Sequence, residues 1–533
     1  MRIPIVDLDA IGIVFDMQPH DLPPNAWSDG KNVRFSNGRT EKIRGHEVNF
    51  TPAIDPLFLM PARSIDKYYW LYADAAKVFK YDGLVSSEIT KLATTYNALD
   101  NAWGGTVLNG LVILNNGADV PQAWDPFVLN ALLDDLANWP TTWRTRSLKS
   151  FKYHLVSLAT AKGSDVNPYR VNWSHPADPG TLPASWDITD PTKDAGEVTL
   201  AETDGFLVDQ LQLGNVNVIY KEDTTHIMQH VGGIDIFGFR PLLQACGLLA
   251  PKGLLMFNPG TRDQHVVFGQ TDIYVHDGAT VSNILRGRMR DWLYNNLDAS
   301  AYKTSFIAHN AGEQEIWICF PTTGATTPNV ALIWNYRDNT TTVRDLPPNT
   351  VSMSSGQLLA SEASPTVADT WGTVQGSWDE QNRPWGFSAF APAGNRLLFG
   401  TTGAGRKVYA ADLSPTFDGA PIDAYVERIG LATIGQDRFG KPAYDGTTRK
   451  LVTEVYPRVT GDLGTVVNIY VGTQDTEDKP IEWHGPFPFR IGIDTKVEPQ
   501  VSGMILSIRF AVVSNSTWTL SGYDLEIAGC GGF

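Results

Sequence analysis

The chain reads as mainly β: an irregular β-propeller of six or seven blades with an additional antiparallel β-sandwich-like platform module. A recurring hairpin phrase predicts the propeller, in which an apolar strand, a polar turn and an aromatic-bearing strand lead into an acidic turn. It appears as Trp70-Leu71-Tyr72 with Val78 to Gly83, as Val266-Val267-Phe268 with Ile273 to Gly278, and as Leu397-Leu398-Phe399 with Val408 to Asp412. Irregular recurrence of one hairpin suits blades that bury their faces against neighbours and carry unequal insertions. A change of texture near residue 420, to longer strands with period-two alternation, predicts the platform.

Asp-Gly and Asn-Gly steps punctuate the chain at Asp29-Gly30, Asn37-Gly38, Asp82-Gly83, Asn109-Gly110, Asn116-Gly117, Asp204-Gly205, Asp277-Gly278, Asp418-Gly419 and Asp445-Gly446. Such pairs supply the positive φ that tight hairpins require. Further hairpins are predicted at Val218-Ile219-Tyr220 with His226-Ile227-Met228, at Leu111 to Leu114 leading to Trp124, and at Ile316 to Phe320 pairing with Ala331 to Trp334. Helical spacing is confined to 286–297, where Met289, Trp292, Leu293 and Leu297 share a face, and to a short segment at 131–136. Segments 176–196 and 347–384 read as long surface excursions whose tryptophans pack against the body. The predicted division is a propeller over 1–415 and a strand-rich module over 416–533, its strands centred on Lys450 to Tyr456, Val466 to Val471, Met504 to Phe510 and Trp518 to Ile527.

A chain of 533 residues with 42% hydrophobic and 19% charged residues buries a large core. Its apolar stretches are too interrupted to span a bilayer as helices, and the segment Met1 to Asp7 lacks a secretory pattern. Cys246, Cys319 and Cys530 stand far apart without a CxxC pair, which predicts reduced thiols. With 42 basic and 58 acidic residues, the formal charge of −16 argues against a phosphate-gripping surface over the whole molecule. It suits ordinary solubility or a wall that DNA slides past.

No HExxH, Walker, GxSxG or clustered Cys/His motif is present, so the expectation is a protein that is not an enzyme and carries no cofactor, catalytic residue or metal site. Gly400 to Gly405 joins two strands and reads as a hairpin turn. His226 and His230 share a strand face at roughly 13 Å, too far for a joint metal site. Acidic pairs at Asp134-Asp135 and Asp379-Glu380, with Trp371, Trp378 and Trp385, leave a carbohydrate-binding or glycan-cleaving propeller as the alternative reading. A protein-interaction hub is a weaker option, because the Gly-His and Trp-Asp repeat of that class is missing.

Two passages carry a family resemblance: Asp21 to Gly45, which contains Trp27-Ser28-Asp29-Gly30 and Asn37-Gly38, and Tyr169 to Gly180, closing with Ser185-Trp186. With the Val-x-x-Tyr-Lys phrase near 220 and the His-x-Asp-Gly phrase near 278, they resemble the tail nozzle proteins of short-tailed bacteriophages, also called tail tubular protein B. The resemblance implies a virion tail subunit assembled in the host bacterial cytoplasm. It implies a homo-oligomeric ring, a hexamer, below the portal and adaptor, which extends the DNA channel, helps retain packaged DNA and conducts it at ejection. Implied partners are the chain itself, the portal-adaptor ring, tail fibres or spikes, and double-stranded DNA passing without sequence-specific binding. Trp27 and the Asp29-Gly30 and Asn37-Gly38 turns are expected to set an N-terminal hairpin. Trp173, Pro176, Asp178 and Trp186 are expected to lock an inter-blade loop in which His175 replaces an acidic residue of the family phrase. Neither the lumen-facing nor the gate residues are legible.

Overall fold

The computed structural model describes residues 2–65, 67–99, 103–233, 235–260, 262–359, 394–436, 442–444 and 446–532. Seven four-stranded antiparallel sheets follow one another within them, at 58–88, 104–135, 147–199, 207–244, 254–283, 306–345 and 350–411. The seventh is completed by His46–Phe50, which pairs with Val408–Ala411 and closes the ring with a strand from before the first blade. The first strand of the seventh blade, Thr350–Gln357, lies against that of the first, Phe58–Arg63. The architecture is a seven-bladed β-propeller.

The apolar phrases occupy the second and third strands of the blades, and the reason is burial on both faces. Side chains alternate across a strand, so successive residues reach opposite neighbours. In the sixth blade Ile316 and Ile318 pack toward the fifth, while Trp317 and Cys319 pack toward the seventh. In the first, Leu71 and Ala73 face the second blade while Trp70 and Tyr72 face the seventh. Each strand therefore needs a continuous apolar run, where a half-exposed sheet would alternate.

Two further sheets form a sandwich. One joins Arg2–Val6, Val33–Ser36, Arg39–Lys42, Trp518–Gly532, Thr448–Gly461 and Val501–Gly503; the other joins Asp29–Lys31, Ile422–Leu431, Ile505–Ser514, Val466–Gln474 and Glu482–Arg490. The predicted boundary therefore differs from the structure at the N-terminus: strands between residues 2 and 42 belong to the sandwich, not to the propeller. They pair with chain that arrives hundreds of residues later, such as Arg2 with Glu526 and Gly30 with Val426. Local sequence carries no trace of such distant pairing.

Sandwich and propeller share one core. Trp27, Phe35, Phe510 and Tyr523 of the sandwich belong to the same apolar cluster as Val266, Phe268, Ile316 and Ile318 of the fifth and sixth blades. The outer strand of the sixth blade, Thr340–Asp345, is covered by N-terminal chain. Ile13 N–H donates to the Thr341 carbonyl at 3.0 Å, and Asn32 N–H donates to the Val343 carbonyl at 2.8 Å. An exposed blade edge is thereby removed.

Beside it lies a buried ion cluster. Arg34 donates to Glu315 Oε1 at 2.6 Å and to Asp412 Oδ2 at 3.0 Å, and Arg344 donates to Asp412 Oδ1 at 3.1 Å. Trp317 Nε1 and Asn310 Nδ2 complete the carboxylate shells at 3.0 and 2.8 Å. Arg34 comes from the sandwich, and the other charged groups come from the sixth and seventh blades, so the cluster fastens the two units.

Gly45 marks the crossing between them. A Cβ there would fall 1.8 Å from the Thr416 carbonyl oxygen. Gly45→Ala is accordingly expected to cost about 3 kcal/mol, because rigid backbone on both sides leaves no room to relax. A urea denaturation midpoint checks it, and an unchanged midpoint contradicts the crossing.

The predicted helix at 286–297 is present as Arg290–Asn296. Met289 and Leu293 are buried, and Trp292 stacks on Phe15 with centroids 4.8 Å apart. The segment predicted as a second helix contains instead the two-residue edge strand Asp134–Asp135. Its partner strand, Gln122–Trp124, offers a free ladder edge there, and pairing overrides a six-residue helical pattern too short to nucleate alone. Among the described residues no helix is long and apolar enough to cross a membrane.

Candidate functional site: the axial cavity and the loop of the third blade

Residues from the first strands of all seven blades, with residues just before them, line one cavity of about 230 Å³ on the propeller axis. First strands must present one face to this space, which explains their mixed composition. Phe58 and Trp103 supply apolar wall, while Arg146, Lys149, Asp209 and Lys252 supply charge. Asp209 Oδ1 accepts from Ser147 Oγ at 2.7 Å, and Oδ2 accepts from Lys149 Nζ at 2.5 Å. Ser147 and Lys149 lie on one face of the strand Ser147–Phe151 by period two, and Leu148 points into the core with Leu155. Lys252 donates to the Leu57 carbonyl at 3.2 Å, and burial pushes its ammonium down to about 8. Arg146, Lys149, Asp209 and Lys252 were not singled out from sequence; the Ser147-Leu148-Lys149 alternation is the one signal that marks a polar strand face.

The cavity is far too small for a duplex whose major groove alone is about 12 Å wide. The propeller axis is therefore closed to duplex DNA.

The residues of the two sequence passages fall in separate places. Trp27 is 1% exposed in the sandwich core, where its Nε1 donates to the Leu8 carbonyl at 3.2 Å and its ring meets Phe510 edge-on. Asn37-Gly38 forms the tight turn between Val33–Ser36 and Arg39–Lys42, with φ of 52° and 79°. Asp29-Gly30 is not a turn. It lies within the strand Asp29–Lys31, where glycine is required because a Cβ would stand 3.0 Å from Ile13 Cδ1 and 3.1 Å from the Tyr425 carbonyl oxygen. A strand glycine used for close approach carries the same dipeptide as a hairpin turn.

Asp29 faces Glu427 directly across the sheet, beside Arg509, whose guanidinium lies 4.2 Å from the Tyr425 ring centre. Burial raises Glu427 to about 7, and Arg509 only partly opposes it.

In the third blade, Trp173 Nε1 donates to the Asp194 carbonyl at 2.9 Å and the ring packs on Phe237 and Phe239. Gly196 lies flat against that ring, where a Cβ would fall 2.3 Å from Cζ2. Trp186 is buried edge-on against Trp139, with centroids 4.6 Å apart. Asn109 of the second blade donates to the carbonyls of Ala177 and Asp178 at 3.1 and 3.0 Å, tying the loop across two blades. The Asp178 carboxylate is exposed, and Pro176 lines a shallow surface depression with Tyr153 and Leu182. His175 Nδ1 accepts from the Asp194 N–H at 3.1 Å. Trp173 and Trp186 thus present no flat face for a sugar, and Trp371, Trp378, Trp385, Asp379 and Glu380 lie outside the described residues.

His226 is enclosed within Thr224–His230 and His230 is exposed at its end, so the two rings do not converge. Among the described residues no group of three or more His, Cys, Asp or Glu side chains is placed to hold a metal ion. Gly400 to Gly405 runs from the end of the strand Asn395–Thr401 into the turn that leads to Val408–Ala411.

A hydrogen-bond chain between the fourth and fifth blades was not anticipated. Tyr220 Oη lies 2.7 Å from His265 Nδ1 and 2.6 Å from His276 Nε2. His265 Nε2 is 3.0 Å from the Gln212 carbonyl, and His276 Nδ1 accepts from the Gly278 N–H. These outer bonds assign every proton: His276 Nε2 donates to the phenol, the phenol donates to His265 Nδ1, and His265 Nε2 donates to the carbonyl. Both imidazoles are neutral, with burial pushing His265 down to about 3 and His276 to about 4.

No family model matches the chain, and no curated protein matches it. Among solved structures, virginiamycin B lyase from Staphylococcus aureus is similar at 8% identity and a TM-score of 0.38, over 67% of this chain and 95% of that one. The WD40 repeats of RRP9 are similar at 9% identity and a TM-score of 0.37, over 70% and 99%. PorZ, a bacterial surface component of the type-IX secretion system of Porphyromonas gingivalis, is similar at 10% identity and a TM-score of 0.33 over 71% of this chain, which spans 42% of PorZ. Likenesses of this strength say nothing of activity.

Proposed function

We propose that the chain is a noncatalytic structural subunit of a tail nozzle of a short-tailed bacteriophage, assembling as a six-membered ring that extends the DNA channel below the portal and adaptor. The observation that carries this reading is the rigid union of propeller and sandwich. One apolar cluster runs through both units, a buried ion cluster joins them, and strands from both ends of the chain interleave in the sandwich. Such a block resists relative motion, as a wall segment under the force of packaged DNA must. The narrow axial cavity agrees with a channel bounded by several subunits, and the net charge of −16 suits a wall that does not trap phosphates. The ordered phrases at 21–45 and 169–186 supply the family link.

A ring requires two different complementary patches on each subunit, because only a head-to-tail contact propagates around an axis. Sedimentation velocity over rising concentration, alone and with the adaptor ring from the same genome, tests it. A discrete higher species of fixed stoichiometry is expected. A chain that stays monomeric in both settings overturns the reading.

A further inference from the structure

The axial cavity is a site of basic character. Three cationic side chains line it, Arg146, Lys149 and Lys252, and among the described residues one carboxylate does, Asp209. Asp209 is already committed to Lys149 and Ser147. The guanidinium of Arg146 is exposed and makes no hydrogen bond or ion pair with the described residues, although it belongs to the cavity lining. Lys252 is partly accessible and belongs to the cavity lining. Its ammonium donates to the Leu57 carbonyl at 3.2 Å and adds its charge to the lining.

Arginine offers a planar fork matched to two oxygens of a tetrahedral anion, and lysine adds a point charge. About 230 Å³ admits such an anion with a small organic body, and Phe58 and Trp103 provide apolar wall for that body. We propose that the axial cavity binds a small phosphate, as the free anion or a monoester, gripped by Arg146 and by the ammonium groups of Lys149 and Lys252. The site is independent of ring assembly and is complete within one subunit.

Isothermal titration with inorganic phosphate and with glycerol 3-phosphate, at constant ionic strength and up to ~10 mM, reads the site directly in the full chain. The expected result is one saturable site per chain for at least one of the two probes. Tighter binding of glycerol 3-phosphate than of phosphate assigns the monoester, and the reverse assigns the free anion. Arg146→Gln, at an exposed position outside the ion network, is expected to weaken binding about tenfold or more, the loss of one charge-assisted contact. Arg39→Gln, at the exposed start of the sandwich strand Arg39–Lys42, is expected to leave it unchanged. Lys252→Met is expected to abolish it, and if that variant fails to fold, Arg146→Gln alone carries the test. Absence of saturable binding by both probes overturns the proposal, as does binding that Arg146→Gln leaves intact.

Discussion

Arg34→Met is expected to destabilise the protein by about 3–5 kcal/mol, the cost of removing one partner from a fully enclosed ion cluster. Arg34 is the cation that answers Glu315 through two bonds, at 2.6 and 3.1 Å, and it shares Asp412 with Arg344. Its loss leaves two buried carboxylates facing one guanidinium. The neighbouring carboxylates hold Arg34 well above its ordinary range, and the two arginines hold Asp412 below the usual carboxylate range despite burial. Arg34→Lys does not restore the fork geometry and is expected to fall only partway back. Replacing Arg34 and Glu315 together by methionine removes opposite charges in equal number and is expected to recover much of the loss. Because Arg34 belongs to the sandwich and its partners to the propeller, the single variant should also split one urea transition into two. A single transition at the original midpoint contradicts the cluster as the fastening.

Acid is expected to destabilise the fold well above the range in which carboxylates titrate. His46, His265 and His276 are buried and neutral, pushed down to about 3, 3 and 4 chiefly by desolvation. Unfolded histidines take up protons near pH 6.5. Between pH 6.5 and 4 the unfolded chain therefore binds more protons, and stability falls as pH falls, on the order of 3 kcal/mol for each group at the bottom of the window. Glu427 acts in the opposite sense. Raised to about 7, it is protonated first in the folded state and contributes stability as pH falls from 7 toward 4.5. Its shift is of the same size as one histidine's, so among these four groups the net loss is that of about two histidines. Lys42 and Lys252, lowered to about 8, titrate above this window and leave the slope unchanged. Urea midpoints between pH 7.5 and 4.5 check the prediction. His276→Gln, which retains a donor toward Tyr220, is expected to flatten the slope, and a flat wild-type profile contradicts three neutral histidines.

The parts of the fold that sequence revealed are those buried on both sides. The hairpins around Trp70, Val218, Val266, Ile316 and Leu397 stand out because each second strand feeds two inter-blade cores and is therefore largely apolar. The third blade's own pair, His154–Leu158 with Arg170–Trp173, is masked in the sequence because the chain between them leaves the blade to join Trp143–Arg144 in a small three-stranded sheet of Ala161–Lys162 and Asp165–Val166. Closure by His46–Phe50 against Val408–Ala411 and the N-terminal strands of the sandwich were invisible, since pairing across hundreds of residues leaves no local period. Asn37-Gly38 was legible as a turn and Asp29-Gly30 was misleading, because glycine serves both positive φ and close packing. The axial charges went unseen for a related reason. Lys149, Asp209 and Lys252 come from three different blades, and only the radial arrangement of first strands brings them together.

Class-averaged electron micrographs of the purified chain bound to its adaptor ring test the proposed ring and its lumen most directly. The account predicts six copies around an axial opening wide enough for duplex DNA, with each narrow propeller axis lying off that opening. Monomers that leave the adaptor bare, or a ring whose centre is closed by protein throughout, would contradict it.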